Sequence, residues 1–118
     1  MIKWGIIGLG KIAENFALAF KEVSNAKLIG IASKNLEKLN KFKNNFKIEE
    51  KYCFKDYQNL IECNEVDIIY IALPHNFHHE WILNSLKEKK NVLSEKPAVI
   101  NSKQITEINN HLNQNKIF

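Results

Sequence analysis

The chain has 118 residues, enough for one domain with a buried core. Hydrophobic residues make up 45% and charged residues 25%, the balance of a soluble globular protein and not of a membrane-embedded or disordered one. The formal net charge is +4 and all 17 basic residues are lysines, scattered from Lys3 to Lys116 without a long basic run, which argues for a solvated surface and against a nucleic-acid footprint. The chain opens with Ile2, Trp4, Ile6 and Ile7, an apolar run with strand propensity, followed at once by Gly8-Leu9-Gly10-Lys11-Ile12-Ala13 and a helical pattern. Strand, glycine turn and helix in that order are the context of a dinucleotide fingerprint. Gly8 permits the tight turn, Gly10 keeps a side chain away from a pyrophosphate, and Ala13 stands where a third glycine often stands. The amides of the first helical turn, at Lys11, Ile12 and Ala13, face the phosphates in such a site. The alternative is an ordinary strand-to-helix turn without a ligand.

Helix one is predicted from about Lys11 to Val23, with Ile12, Phe16 and Phe20 on one apolar face and Ser24-Asn25 ending it. Lys27–Ala32 reads as strand two, apolar on both faces as a covered parallel strand should be. Ser33 and Lys34 follow. An NAD-selective fold places an Asp or Glu here, about twenty residues past the glycine turn, to bind the ribose hydroxyls. A hydroxyl and an ammonium attract a 2′-phosphate instead, so the pair favours NADP. The alternative is that Ser33 caps helix two and Lys34 is merely solvated.

Helix two is predicted over Leu36–Asn44, with Leu36, Leu39 and Phe42 inward and Asn44-Asn45 as its stop. Lys51–Phe54 reads as a short edge strand, Asp56 as the cap of a helix over Tyr57–Cys63, and Val66–Leu73 as the strongest strand, with Asp67 solvated. Pro74 ends that strand. Asn76 is expected to cap a helix over Phe77–Lys89 that packs through Phe77, Trp81, Ile82 and Leu86. His75 and His79 are four residues apart, but no third ligand accompanies them, so no metal site is expected. His78 is assigned to the helix start or to the cofactor, with simple packing as the competing role. Asn91–Ser94 is strand five, and Glu95-Lys96-Pro97 follows at its carboxyl end. There a carboxylate can accept hydrogen bonds from ribose hydroxyls, and an ammonium can polarise a carbonyl or alcohol during hydride transfer; the alternative is a solvated turn. Asn101 and Gln104 resemble a capping box opening a last helix to about Asn113, and Ile117-Phe118 looks like the start of a sixth strand. Cys53 and Cys63 match no zinc or CxxC spacing and are expected to be free, buried thiols. With no signal-peptide layout and no apolar stretch of membrane length, a cytoplasmic location is expected.

GLGKIA, a strand ending in Ser-Lys, LPHNFHHEW and SEKP, in this order, resemble the N-terminal half of the glucose–fructose oxidoreductase, inositol dehydrogenase and rhizopine-catabolism (Gfo/Idh/MocA) family. The resemblance covers essentially the whole chain. It implies an α/β, Rossmann-type doubly wound, mostly parallel sheet in the order 3-2-1-4-5(-6), with residues 1–118 as one NAD(P)-binding domain. It implies NAD(P)-dependent oxidation or reduction of a hydroxyl-bearing carbon on a sugar, cyclitol or diol. Carried over by residue, it assigns Gly8, Gly10 and Ala13 to the pyrophosphate and Ser33 and Lys34 to the adenosine ribose. Leu73 and Pro74 would line the crevice, His78 would match a recurrent histidine, and Glu95 would contact the nicotinamide ribose. Lys96 would be the catalytic or substrate-orienting lysine, with Pro97 its backbone partner. The family's second domain, which carries most substrate contacts, has no counterpart in these residues. The chain is therefore expected to be a truncated fragment that binds cofactor and turns over little alone, with an unpaired sheet edge that promotes self-association. A stand-alone, non-catalytic dinucleotide-binding or interaction module is the competing reading.

Overall fold

The computed structural model describes residues 2–73, 77–93 and 106. Five strands, β1 (Ile2–Ile7), β2 (Ala26–Ala32), β3 (Cys53–Phe54), β4 (Ile68–Ile71) and β5 (Asn91–Leu93), form one sheet in the order β3-β2-β1-β4-β5. Every pairing is parallel. The connections are α1 (Lys11–Ala19), α2 (Leu36–Phe46), α3 (Tyr57–Ile61) and α4 (His78–Lys87), with 3₁₀ turns at Phe20–Glu22 and Glu50–Tyr52. The sheet is doubly wound, as expected. The expected sixth strand and the last helix fall outside the described residues, apart from Thr106, whose carbonyl accepts a 3.4 Å hydrogen bond from the Asn25 side chain.

Strand side chains alternate between faces, so each strand feeds two cores. Trp4, Ile6, Leu28, Ile31, Ile68 and Tyr70 meet Ala13, Phe16 and Ala17 of α1 and Leu39 and Phe42 of α2. Ile7, Ala32, Ile69, Ile71 and Val92 meet Leu60 and Ile61 of α3, with Trp81 and Ile82 of α4 packed against them. Phe16 is the centre of the first face. Its ring stacks on Tyr70 at 4.0 Å and touches Trp4 and Phe20, each at 5.3 Å between centroids. The amino ends of the strands are fastened by polar contacts. Asp67 is exposed, yet its carboxylate accepts from the Lys3 amide at 2.8 Å. The Lys90 ammonium donates to the carbonyls of Cys63 at 2.7 Å and Val66 at 2.6 Å.

Several boundaries differ from the sequence reading. Helix one is α-helical only to Ala19 and tightens into the 3₁₀ turn, with Val23 extended after it. Ile12, placed on its apolar face, is 47% exposed at the rim of the glycine turn. Helix two runs past Asn44-Asn45 to Phe46 and ends where Lys47 takes the left-handed conformation, φ 54°. Leu36, expected inward, is the first residue of α2 and is 50% exposed. Only Cys53–Phe54 of the expected third strand pair with β2, since Glu50–Tyr52 turn before reaching the edge. Helix three ends at Ile61, and strand four is confined to Ile68–Ile71. Helix four begins at His78 with Phe77 in the cap position, and Asn76 lies outside the described residues. Phe77 and Leu86, expected to pack, are exposed; Trp81 and Ile82 carry the contact with the sheet. Strand five is described over Asn91–Leu93, and Ser94 lies outside the described residues. Both cysteines are free but only half-buried. Among the described residues no helix is long and apolar enough to cross a membrane.

Tyr70 is fully buried, and its hydroxyl has no hydrogen-bond partner among the described residues. Burial pushes its pKa well above the ordinary tyrosine value. An unpaired buried hydroxyl costs free energy that a phenyl ring of the same shape does not. Tyr70→Phe should therefore keep the Phe16 stack and raise stability by about 1 kcal/mol, read from the urea midpoint.

Candidate functional site

The strand order reverses between β1 and β4, and the crevice of a doubly wound sheet opens at the carboxyl ends on either side of that point. The Gly8 turn sits there and is tied to both neighbours. Its amide donates to Ala32 O of β2 at 3.0 Å, while Ile7 O accepts from the Ala72 amide at 2.9 Å. Gly8 has φ +89°, and a Cβ there would lie 2.9 Å from Ala72 O and 2.9 Å from Leu73 Cδ2. Gly8 is thus required by the fold itself, and Leu73 lies directly against the turn.

Gly10 differs. Its backbone is extended, φ −92° and ψ −165°, which other residues adopt. A Cβ there would meet no atom of the described residues within 4 Å. The space above Gly10 is open, and it faces the start of α1. Gly10 caps that helix without a side-chain hydrogen bond, and the first intrahelical bond runs from Glu14 N to Gly10 O at 3.2 Å. The amides of Lys11, Ile12 and Ala13 precede it and have no acceptor inside the helix. Ala13 is fully buried, so α1 lies close to the sheet and its amino end is held at the crevice. Three donors at a helix amino terminus beside an open, side-chain-free approach suit a diphosphate.

Beside Gly10, between α1 and α2, lies a pocket of about 190 Å³ whose wall includes Lys11, Lys38 and Lys41 against one carboxylate, Glu14. Lys38 and Lys41 were not singled out in the sequence, where their i, i+3 spacing reads as a solvated helix face. Only the way α2 leaves β2 brings them to the turn. A larger depression of about 520 Å³, floored by Phe20, Leu28 and Phe46, lies at the opposite end of the sheet, where β2 begins. The crevice is the better candidate because it combines converging donors with bare backbone.

Ser33 and Lys34 stand at the carboxyl end of β2. Ser33 is buried; its amide donates to Phe54 O at 3.1 Å and its hydroxyl oxygen accepts from the Asn35 amide at 3.1 Å. Capping of α2 falls to Asn35, whose Oδ1 accepts from Lys38 N at 3.1 Å, and not to Ser33. Lys34 is exposed, and its ammonium lies over the Tyr57 ring, 5.1 Å from the centroid. The structure thus brings Gly8, Gly10, Lys11, Ile12, Ala13, Ser33, Lys34 and Leu73 to the carboxyl-end side of the sheet. His78 opens α4, but its side chain lies outside the described residues, as do Pro74, Glu95, Lys96 and Pro97.

The family model for the oxidoreductase family with an NAD-binding Rossmann fold, GFO_IDH_MocA, matches residues 2–117. The chain belongs to the Gfo/Idh/MocA oxidoreductases. It is an NAD-binding Rossmann domain of that family. It is 33% identical over 108 residues to the trans-1,2-dihydrobenzene-1,2-diol dehydrogenase of Xenopus tropicalis, covering 90% of this chain and 32% of the relative. The scyllo-inositol dehydrogenase of Lactobacillus casei, with bound NAD(H) and scyllo-inositol, superposes with a TM-score of 0.74 at 28% identity, covering 98% of this chain and 34% of the other. A 3-ketoreductase of Actinomadura kijaniata, in complex with TDP-benzene and NADP, superposes with a TM-score of 0.74 at 28% identity, covering 99% and 36%. The chain spans about a third of the length of these Gfo/Idh/MocA relatives.

The two glycines should separate by experiment. Gly8→Ala forces a left-handed alanine into the Ala72 carbonyl and should cost at least about 2 kcal/mol of stability. Gly10→Ala should cost less than about 1 kcal/mol, yet weaken nicotinamide dinucleotide binding roughly tenfold by filling the approach. Thermal unfolding and a cofactor titration on each variant check both outcomes.

Proposed function

We propose that these residues bind NADP in preference to NAD, as the cofactor-binding part of an enzyme that oxidises or reduces a CH–OH or C=O carbon on a sugar, cyclitol or diol. The observation that carries this reading is the pairing of three amides at the start of α1, without an acceptor among the described residues, with the space above Gly10 that those residues leave open. When bound, the nicotinamide ring supplies or accepts the hydride. The Lys11, Ile12 and Ala13 amides hold the diphosphate, and Lys11, Lys38 and Lys41 add positive potential beside it. Ser33 and Lys34 stand where an NAD-selective chain carries a carboxylate. That substitution removes a repulsion and adds a cation for the 2′-phosphate.

Leu73 and Pro74 are assigned to the crevice and His78 to the cofactor by the family resemblance. By the same resemblance Glu95 would accept hydrogen bonds from the nicotinamide ribose, with Pro97 as the backbone partner of Lys96. Lys96 is the catalytic residue: its ammonium donates to the substrate oxygen, stabilising negative charge there as a carbonyl is reduced and orienting the hydroxyl in the reverse direction. The substrate class is supported by the diol, inositol and 3-keto chemistry in the names of the relatives. Hydride transfer also needs the reacting carbons held close and shielded from water, so these 118 residues alone should turn over little.

Titrating the folded protein with NADPH and NADH tests the reading. NADPH should bind more tightly. Lys34→Glu should weaken NADPH at least about tenfold and leave NADH unchanged or bound more tightly, since a hydrogen bond to a charged group contributes about 1.5–3 kcal/mol and a carboxylate there can accept from the ribose hydroxyls. Failure of the folded protein to bind either cofactor would overturn the reading, and brisk NADPH oxidation by this chain alone with a panel of keto-sugars would overturn the last part of it.

A further inference from the structure

We propose that Tyr57 is a positioning residue for cofactor choice: its ring holds the Lys34 ammonium at the crevice, where it meets the 2′-phosphate of NADP. The inference rests on the NADP reading above and names a further member of that site. α3 begins at Tyr57, with Asp56 Oδ1 accepting from Gln58 N at 2.9 Å, and is anchored by the fully buried Leu60 and Ile61. The ring is gripped from the side by Trp81 of α4, edge-on at 5.2 Å and 86°. It is therefore a fixed platform between two helices.

Lys34 reaches it from a backbone that is equally fixed, because Ser33 is bonded to Phe54 on one side and to Asn35 on the other. The ammonium lies 5.1 Å from the Tyr57 centroid, within the range of a cation–π contact. Among the described residues no carboxylate forms an ion pair with Lys34. A lysine on a four-carbon stem is otherwise mobile, and an anion that it binds must pay for ordering it. The ring face restrains the stem beforehand and occupies one side of the ammonium, leaving N–H donors on the other. NAD carries no 2′-phosphate and gains nothing from that arrangement. The effect of Tyr57 should therefore appear for one cofactor and not for the other.

Direct binding of NADPH and NADH to the 118-residue chain, by calorimetry, tests this with three variants. Tyr57→Leu should raise the NADPH Kd about two- to fivefold, the range of a partly exposed cation–π contact, and leave the NADH Kd unchanged. Tyr57→Phe keeps the ring face and should leave both affinities as they are. Lys34→Gln should weaken NADPH more than Tyr57→Leu does, and in its background Tyr57→Leu should have no further effect. Equal losses for the two cofactors in Tyr57→Leu would mean a structural role and overturn the proposal, as would an unchanged NADPH Kd in that variant while Lys34→Gln weakens NADPH. If Lys34→Gln itself leaves NADPH unchanged, the NADP reading falls and the role of Tyr57 with it. A measurement without substitution serves if leucine at 57 unfolds the chain. The Lys34 ε-methylene protons should show an upfield ring-current shift in the NMR spectrum, both free and saturated with NADPH, and random-coil shifts in either state would overturn the proposal.

Discussion

The site depends on where α1 is held, and α1 is held by Phe16. That ring is wedged among Trp4 of β1, Phe20 at the end of the helix and Tyr70 of β4, so a single side chain ties the helix to both strands that flank the crevice. Aromatic pairs of this kind add about 0.5–1.5 kcal/mol each beyond the area they bury. Ala13, one turn earlier, has no bulk to hold the helix away from the sheet. The amino end of α1 therefore stands at a fixed height over the Gly8 turn, and its amides point where the fold leaves backbone bare. Without that wedge the donors would still exist, but they would no longer converge on one place.

Much of this arrangement is legible in the sequence because its causes are local. Gly8 and Gly10 lie next to the strand that ends and the helix that begins, and the four-residue repeat of Phe16 and Phe20 states which side is buried, although Ile12, placed on the same face, is exposed. The strands were visible as apolar runs, and the parallel order follows from their alternation with helices. Errors fall at helix ends. Leu36, Phe77 and Leu86 have the hydrophobicity and roughly the spacing of core residues, but they stand at the ends of α2 and α4 and are exposed. The length of β3 was overestimated for a related reason: an edge strand pairs on one side only, and the turn at Glu50–Tyr52 claims the residues that would extend it.

Other features could not be read because they join distant segments. Nothing in the vicinity of Tyr57 marks it as a partner of Lys34, and nothing near Lys38 and Lys41 marks them as neighbours of Gly10. Each looks like part of an ordinary amphipathic helix until β2 and its two flanking connections are folded together. Ser33 shows the converse. Its hydroxyl is expected to serve either a ligand or a helix cap; Asn35 does the capping, and the Ser33 oxygen accepts from the Asn35 amide, which leaves its O–H able to donate. Local polar residues compete for the same backbone donors, and geometry alone decides which of them prevails.

The fasteners at the far end of the sheet give the molecule an uneven response to acid. Lys3 and Glu65 form an exposed 2.8 Å pair whose hydrogen bond and charge hold the Glu65 carboxyl below its usual range. A depressed carboxyl contributes in neutral solution and is lost as the pH falls through the folded-state value, so this link loosens in acid. The neighbouring Lys90 ammonium is held by the carbonyl oxygens of Cys63 and Val66, which do not titrate. Acidification thus loosens the exposed clasp at the first strand, a small contribution at a solvated pair, and leaves the contacts joining α3, β4 and the entry to β5 in place.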